Sequence, residues 1–290
     1  MILVSGAGGT VGGELRALLH AGGLPYRAMA RDAHRARQAA LAGEVWLDGD
    51  FAAPDGLDAA LGGIESLFLL CGAQPGMDIL EINAIEAAKR AGVGRIVKIS
   101  VPNAAEGGAA ALQRLHGRSE AALVASGIAW TVLRPNAFMQ NLHGPTQGFD
   151  ARRICRLPLG EVKYCFIDAR DIATTALAAL SENGHAGKIY DLTGPEALSY
   201  AEAAAIVSEV VGETFTFVDI SPSECRADLL AAGIDDWFVD EILEWFTLFR
   251  DGRVGAVSDA VETVTGRAPR SLSDFVRQNL AQFGAPGGAA

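Results

Sequence analysis

Residues 2–31 read ILVSGAGGTVGGELRALLHAGGLPYRAMAR, and the fold is decided in this stretch. Ile2 to Ser5 is a short apolar run suited to a buried strand, and Tyr26 to Ala30 is a second one. Between them Gly12 to Ala21 carries apolar residues at helical spacing, closed by Gly22-Gly23. The strand and the helix are joined by GAGGTVG, which sets Gly6, Gly9 and Gly12 three residues apart. In a strand–loop–helix context each glycine has a separate task. Gly6 permits the tight turn, Gly9 lets backbone approach a pyrophosphate, and Gly12 lets the helix pack against the sheet. Thr10 and Val11 open the helix, whose N-terminus presents free N–H groups to phosphate. The stretch predicts the opening βαβ unit of a dinucleotide-binding fold.

Outward from it the rhythm repeats. Strands are expected at Glu44 to Leu47, Ser66 to Cys71, Arg95 to Ser100 and Trp130 to Leu133. Helices are expected at Ala33 to Ala42, Leu57 to Leu61, Met77 to Ala91 and Leu112 to Ala125. This alternation predicts an α/β fold with a doubly wound parallel sheet, the Rossmann arrangement. From Pro135 to Pro158 the chain turns rich in Pro, Gly, Asn and Arg and reads as an excursion from the sheet. Tyr164 to Ile167, a helix from near Asp171, and Lys188 to Leu192 read as returns. Beyond Gly194-Pro195 the pattern is mainly helical, at Ser199 to Val211, Ser221 to Ala232, Asp235 to Phe249 and Ser271 to Gln282, followed by a Gly- and Ala-rich tail from Gly284. The expected organisation is a dinucleotide-binding core over 1–135, rejoined by 161–194. A smaller, mainly helical substrate lobe is expected from 136–160 and 195–290.

The 290 residues are 50% apolar and 20% charged, ample for a buried core. Net charge is −11 with basic residues scattered, which argues against nucleic acid as a ligand. Cys71, Cys155, Cys165 and Cys225 show neither CxxC spacing nor nearby His pairs, so reduced thiols are expected, with no metal site and no disulfide scaffold. No apolar run approaches the roughly 18 residues needed to span a bilayer. A strand beginning at Ile2 leaves no room for a leader, so the expectation is a cytoplasmic protein without a membrane partner.

About twenty residues beyond the glycine loop, an acid would bind the ribose of NAD, whereas an arginine would pair with the 2′-phosphate of NADP. The position is Arg31, which favours NADP(H), although Asp32 beside it could serve a ribose hydroxyl. Asp50, after the third strand, is placed to border the adenine. Leu70, Cys71 and Gly72 end the fourth strand where the chain passes beneath the cofactor.

The sequence resembles the NmrA-like atypical short-chain dehydrogenase/reductases over nearly its whole length. The resemblance rests on GAGGTVG, on NAIEAAKRAGVGRIVKISV from Asn83 to Val101 and on SGIAWTVLRPNAFMQN from Ser126 to Asn141. IDARDIA from Ile167 to Ala173 and TGRAPRSLSDFV from Thr265 to Val276 add to it. It implies a nicotinamide seated near Ser100, Val101, Pro135 and Asn136, with the second lobe closing over it. Many short-chain dehydrogenases carry a catalytic Tyr and a Lys four residues later; this chain has Leu112 and His116 at that spacing. Counting back from SGIAWT puts His116 where a related subgroup carries its lysine. His116 could therefore touch the nicotinamide ribose or donate a proton, having a suitable pKa, or it could be a merely hydrogen-bonded residue.

Loss of the tyrosine suits acceptors that take hydride without strong acid assistance. Ile234, Trp237, Phe238, Ile242, Trp245, Phe246 and Phe249 form an aromatic stripe at helical spacing, and Phe138 and Met139 follow the sixth strand. The stripe could line a pocket for an aromatic ring, with Phe138, Met139, Trp237, Phe238 and Trp245 as its candidates, or form the lobe's own core or a homodimer contact. For Asp168, Arg170 and Asp171 the expectation is structural, with Asp171 capping a helix and Arg170 in an ion pair. The resulting expectation is an NADP(H)-dependent reductase acting on a quinone or similar polycyclic aromatic. The resemblance extends it to aromatic polyketide tailoring, including reductive partnership in quinone hydroxylation. The rival is a non-catalytic nucleotide-binding redox sensor.

Overall fold

A computed structural model of the chain describes residues 1–144, 146–252 and 256–284. The tail expected beyond Gly284, residues 285–290, lies outside them. The elements run β1 (Ile2–Val4), α1 (Thr10–Ala21), β2 (Tyr26–Ala30), α2 (Ala33–Ala36), β3 (Trp46–Asp48), α3 (Leu57–Leu61) and β4 (Ser66–Leu69). Next come α4 (Met77–Arg90), β5 (Arg95–Ile99), α5 (Ala111–Ala125), β6 (Ala129–Pro135), β7 (Ile154–Leu157), α6 (Ala169–Ser181) and β8 (Lys188–Leu192). The chain ends with α7 (Tyr200–Val211), β9 (Thr216–Asp219), α8 (Pro222–Ala231), α9 (Asp236–Arg250), α10 (Ala260–Thr265) and α11 (Leu272–Gln278).

Seven strands form one parallel sheet in the order β3-β2-β1-β4-β5-β6-β8. The order reverses between β1 and β4, which opens a crevice at their carboxyl ends. Ser5 closes its floor, since its hydroxyl donates to Phe68 O at 2.9 Å and accepts from Leu70 N at 2.9 Å. Apolar side chains cover both faces of the sheet. Leu15, Leu19, Ile172 and Ala176 pack on one, and Leu61, Ile85, Ala88 and Leu123 on the other.

The second lobe has its own core, built on Tyr164, Phe166, Tyr200, Phe246 and Phe275. Two of its features differ from the expected pattern. Tyr164 to Ile167 does not rejoin the large sheet. It makes only isolated bridges, Ile167 to Phe138 and Tyr164 to Leu198, because its aromatic rings pack on Tyr200 and Phe249 instead. The lobe also contains a two-stranded parallel sheet, β7 with β9. Helix α10 returns to the main core, where Ala260 and Val261 are buried.

The lobe is fastened to the core at polar points. Asp171 accepts from Arg270 N at 2.8 Å and pairs with the Arg270 guanidinium. The cap of α6 is Asp168, not Asp171, and Asp168 is also the ion-pair partner of Arg170. Ala110, the N-cap residue of α5, has no side chain that could cap the helix. Glu241 and Glu244 of α9 supply the missing acceptors, to Leu112 N at 3.1 Å and Ala111 N at 2.8 Å. Carboxylates at a helix N-terminus also oppose the positive end of its dipole.

Candidate functional site

The crevice between β1 and β4 is a cleft of about 480 Å³. Gly6, Gly9, Arg31, Asp50, Leu70, Cys71 and Gly72 all line it, with Met29 and Phe51 among the apolar wall. Gly6 takes a φ of 60°, the left-handed turn that glycine tolerates best. A Cβ on Gly12 would stand 2.2 Å from Gly6 O and 2.8 Å from Gly6 C, so only glycine allows α1 to lie this close to the loop. Helix α1 has Gly9 at its N-cap, no side-chain cap and no acid in its first turn. Its first N–H groups are thus free for an anion. Thr10 lies exposed at the first helical position, whereas the Val11 side chain is buried in the main core. An open cleft, a glycine cradle and an uncapped helix end fit the diphosphate and adenosine half of a dinucleotide.

The loop is held from behind by an arrangement that local sequence patterns do not reveal. Arg16, buried on α1, donates from Nη1 to Ala7 O at 2.9 Å. Its Nε and Nη2 reach the Glu44 carboxylate at 2.5 and 2.6 Å, and its guanidinium stacks 4.5 Å from the Trp46 ring. Glu44 also accepts from Tyr26 OH, Trp46 Nε1 and Leu41 N. Burial alone would raise the Glu44 pKa, but these hydrogen bonds outweigh it and hold the group down to about 2.

Arg31 is exposed at the cleft rim. Asp32 caps α2, its Oδ1 accepting from Arg35 N at 2.8 Å. Asp50 Oδ1 accepts from Ala52 N at 2.9 Å in a tight turn.

The residues that the resemblance placed near a nicotinamide lie further along the carboxyl edge. Asn136 lines a second cavity of about 170 Å³ with Arg134, Leu192 and Thr193, and its Oδ1 accepts from Ala137 N at 2.8 Å. Val101 is half-buried and Pro135 is buried at the end of β6. Ser100 is buried, and its hydroxyl donates to Glu120 Oε1 at 2.5 Å, so it faces α5 and not the open cleft. Glu120 in turn pairs with Arg134 at 2.5 Å.

His116 is 6% exposed, and its Nδ1 stands 2.8 Å from the Lys98 ammonium. Burial first, then the charges of Lys98 and Arg134, push its pKa well below the ordinary value. The ordinary histidine pKa expected of it is thereby corrected.

The aromatic stripe divides. Trp237 and Trp245 pack against Met77, Leu112 and Leu115 beside Cys71, which lines the cleft, and Trp245 also packs on the lobe's core. Met139 is 1% exposed inside the lobe's core, so it does not face an open substrate site as expected, and Phe238 is half-buried against that same core. Phe138 packs against the main core. Burial, with Glu81's charge behind it, pushes the Cys71 thiol up. None of the four cysteines forms a disulfide. Among the described residues there is no cluster of metal-ligating side chains, and no helix is long and apolar enough to cross a membrane.

A family model described as NAD(P)H-binding matches residues 6–183. The chain is 36% identical to the NAD(P)H azoreductase of Xenophilus azovorans over 285 residues, covering 98% of this chain and 100% of that protein. Among solved structures it resembles the NADPH-dependent quinone oxidoreductase of Escherichia coli complexed with NADPH. There the TM-score is 0.85 at 26% identity, over 96% of this chain and 99% of that one. The triphenylmethane reductase of Citrobacter sp., complexed with NADP(H), superposes with a TM-score of 0.82 at 25% identity, over 96% and 99% of the two chains.

Proposed function

The chain belongs to the NmrA-like atypical short-chain dehydrogenase/reductases, an NAD(P)H-binding family, and from that membership we propose that it is an NAD(P)H-dependent reductase of quinones, azo compounds or comparable conjugated aromatics. The observation that carries this reading is the apolar cluster against Cys71, itself a lining residue of the cleft, where Trp237 and Trp245 of α9 pack with Met77, Leu112 and Leu115. That cluster is apolar and aromatic, so it favours a flat conjugated ring over a small polar alcohol. The relatives named above are an azo, a quinone and a dye reductase.

The glycine loop and the α1 N-terminus would hold the diphosphate, with Arg31 pairing the 2′-phosphate of NADPH in preference to NADH. Bound there, a reduced nicotinamide supplies a hydride. The rest is positioning by the protein. Helix α9, pinned to α5 through Glu241 and Glu244, holds the two tryptophans against Met77, Leu112 and Leu115. A conjugated acceptor spreads the incoming charge, so the missing Tyr and Lys pair is a small loss. Polycyclic quinones of the kind made in aromatic polyketide tailoring, including those awaiting hydroxylation, are the acceptors to test first.

The test is NADPH oxidation by purified protein against a panel of quinones, azo dyes and triphenylmethane dyes. Turnover with these and not with simple ketones is expected. Tight nucleotide binding without turnover across the panel would overturn the reductase reading and assign the chain to nucleotide sensing.

A further inference from the structure

Behind Cys71, which lines the cleft and feels the charges of Glu81 and Lys98, lies a buried polar cluster that hydride transfer does not by itself require. Lys98 is a charged residue in the central strand β5, and none of its surface is exposed. An ammonium has three donors and no acceptor. All three are used, by Ile99 O at 2.9 Å, Glu81 Oε2 at 2.9 Å and His116 Nδ1 at 2.8 Å. Ser119 Oγ donates to the same Glu81 oxygen at 2.7 Å. Since Lys98 can only donate, the contact with His116 has one solution. Nδ1 carries the lone pair, and the ring's proton sits on Nε2.

We infer that Lys98 is a positioning residue that holds His116 as a neutral Nε2–H donor and stands behind it as the proton reservoir for the anion formed when the acceptor is reduced. His116 lies one helical turn beyond Leu112 on α5, and Leu112 and Leu115 pack against Cys71, Trp237 and Trp245. The groups that act on the ring are Lys98 from β5, Glu81 from α4 and Arg134 from β6; Glu120 on the same helix pairs with Arg134, and Cys71 after β4 feels the charges of Glu81 and Lys98. A neutral imidazole backed by a cation is a strong hydrogen-bond donor toward a developing oxyanion or anilide.

The step balances. The Nε2–H bond breaks as an O–H or N–H bond forms on the reduced acceptor. A proton then leaves Lys98 Nζ for His116 Nδ1, using the electron pair that Nδ1 presented. The acceptor anion becomes neutral, His116 stays neutral with its proton on Nδ1, and Lys98 passes from ammonium to amine. No electrons pass to or from the protein. Solvent returns the proton after product leaves, and the Glu81 carboxylate, whose Oε1 has no partner, favours the restored ammonium.

The destination of the proton rests on the reductase reading; the tautomer does not. Nitrogen-15 NMR of histidine-labelled full-length protein reads the tautomer directly, with His116→Gln identifying the resonance among five histidines. The expected ring has an unprotonated Nδ1 and a protonated Nε2, unchanged across roughly pH 5 to 9, where a free histidine titrates. A protonated Nδ1, or titration near the ordinary pKa, overturns the inference whether or not any acceptor turns over. In Lys98→Met the tautomer preference is expected to vanish and kcat to fall about a hundredfold with little change in KM for NADPH. Should that variant not fold, Lys98→Met with Glu81→Gln removes both charges and carries the same expectations. Wild-type kcat in either variant overturns the reservoir role.

Discussion

Glu44→Gln should loosen the glycine loop from behind without touching the cleft. The carboxylate is fully buried and accepts five hydrogen bonds, two of them from Arg16, which itself holds Ala7 O. A glutamine turns an NH2 group toward these donors and leaves the Arg16 charge buried and unpaired. The magnitude follows from proton affinity. Glu44 is held at about 2 in the fold against an ordinary value of 4.5, and at about 1.4 kcal/mol per tenfold change in affinity this is about 3 kcal/mol of stability at pH 7. Because the folded pKa is depressed, that stability is present above 4.5 and is lost as pH falls through about 2. By about pH 3.5 the unfolded chain has taken up most of its proton while the folded chain has not, and about 1.4 kcal/mol of the advantage is gone. Urea unfolding of both proteins at the two pH values should therefore show a gap of about 3 kcal/mol that narrows to about 2 kcal/mol. A gap that is the same at both values, or one below about 1 kcal/mol at pH 7, would refute the reasoning.

Other substitutions probe the cradle and the lobe. Gly12→Ala puts a methyl 2.2 Å from Gly6 O, so α1 must part from the loop, at about 1–3 kcal/mol of stability by thermal unfolding. NADPH binding by fluorescence titration should be abolished; unaltered affinity would mean the cradle does not hold the diphosphate. Arg31→Ala should weaken NADPH about tenfold to a hundredfold and leave NADH alone, losing about 1.5–3 kcal/mol of charge-assisted hydrogen bonding. An unchanged ratio of the two Kd values removes Arg31 from the phosphate site. Glu241→Ala with Glu244→Ala uncaps α5, at about 1 kcal/mol for each lost cap. It should raise KM for the acceptor while NADPH affinity holds, and an effect on NADPH alone would contradict α9 as the substrate-side wall.

The fold was legible where turn chemistry is local. The bounds of β2, α3 and β8 emerge from the sequence because Gly or Pro stands beside each. Strands β7 and β9 were not legible, since Ile154 pairs with Thr216, 62 positions further along the chain, and each strand is only four residues long. Tyr164 to Ile167 has strand composition, but composition cannot tell whether Tyr164 and Phe166 pack beneath a sheet or against Tyr200. The same limit governs the site. Gly6, Gly9 and Gly12 announce themselves by spacing, whereas Arg16 with Glu44 and Glu241 with Leu112 are joined only by tertiary packing. One signal of the buried cluster does stand in the sequence. Lys98 interrupts RIVKIS, a run whose neighbours predict a strand buried on both faces, and a lysine there must find partners.

Why such a lysine is kept bears on what it does. Two charges buried together gain from mutual attraction about what they lose in desolvation, so an ion pair like that of Lys98 and Glu81 adds little net stability. Glu81 Oε1 has no hydrogen-bond partner, and burial pushes the Glu81 pKa up despite the adjacent ammonium, both of which count against the pair as a structural device. Lys98→Met alone should cost about 3–5 kcal/mol, because it strands the Glu81 carboxylate. Adding Glu81→Gln should recover most of that loss, leaving the double variant within about 1 kcal/mol of the parent by urea unfolding. If the double variant instead remains as unstable as the single one, the pair is a structural requirement of the core. If stability returns while kcat does not, the charge on Lys98 serves the His116 ring and not the fold.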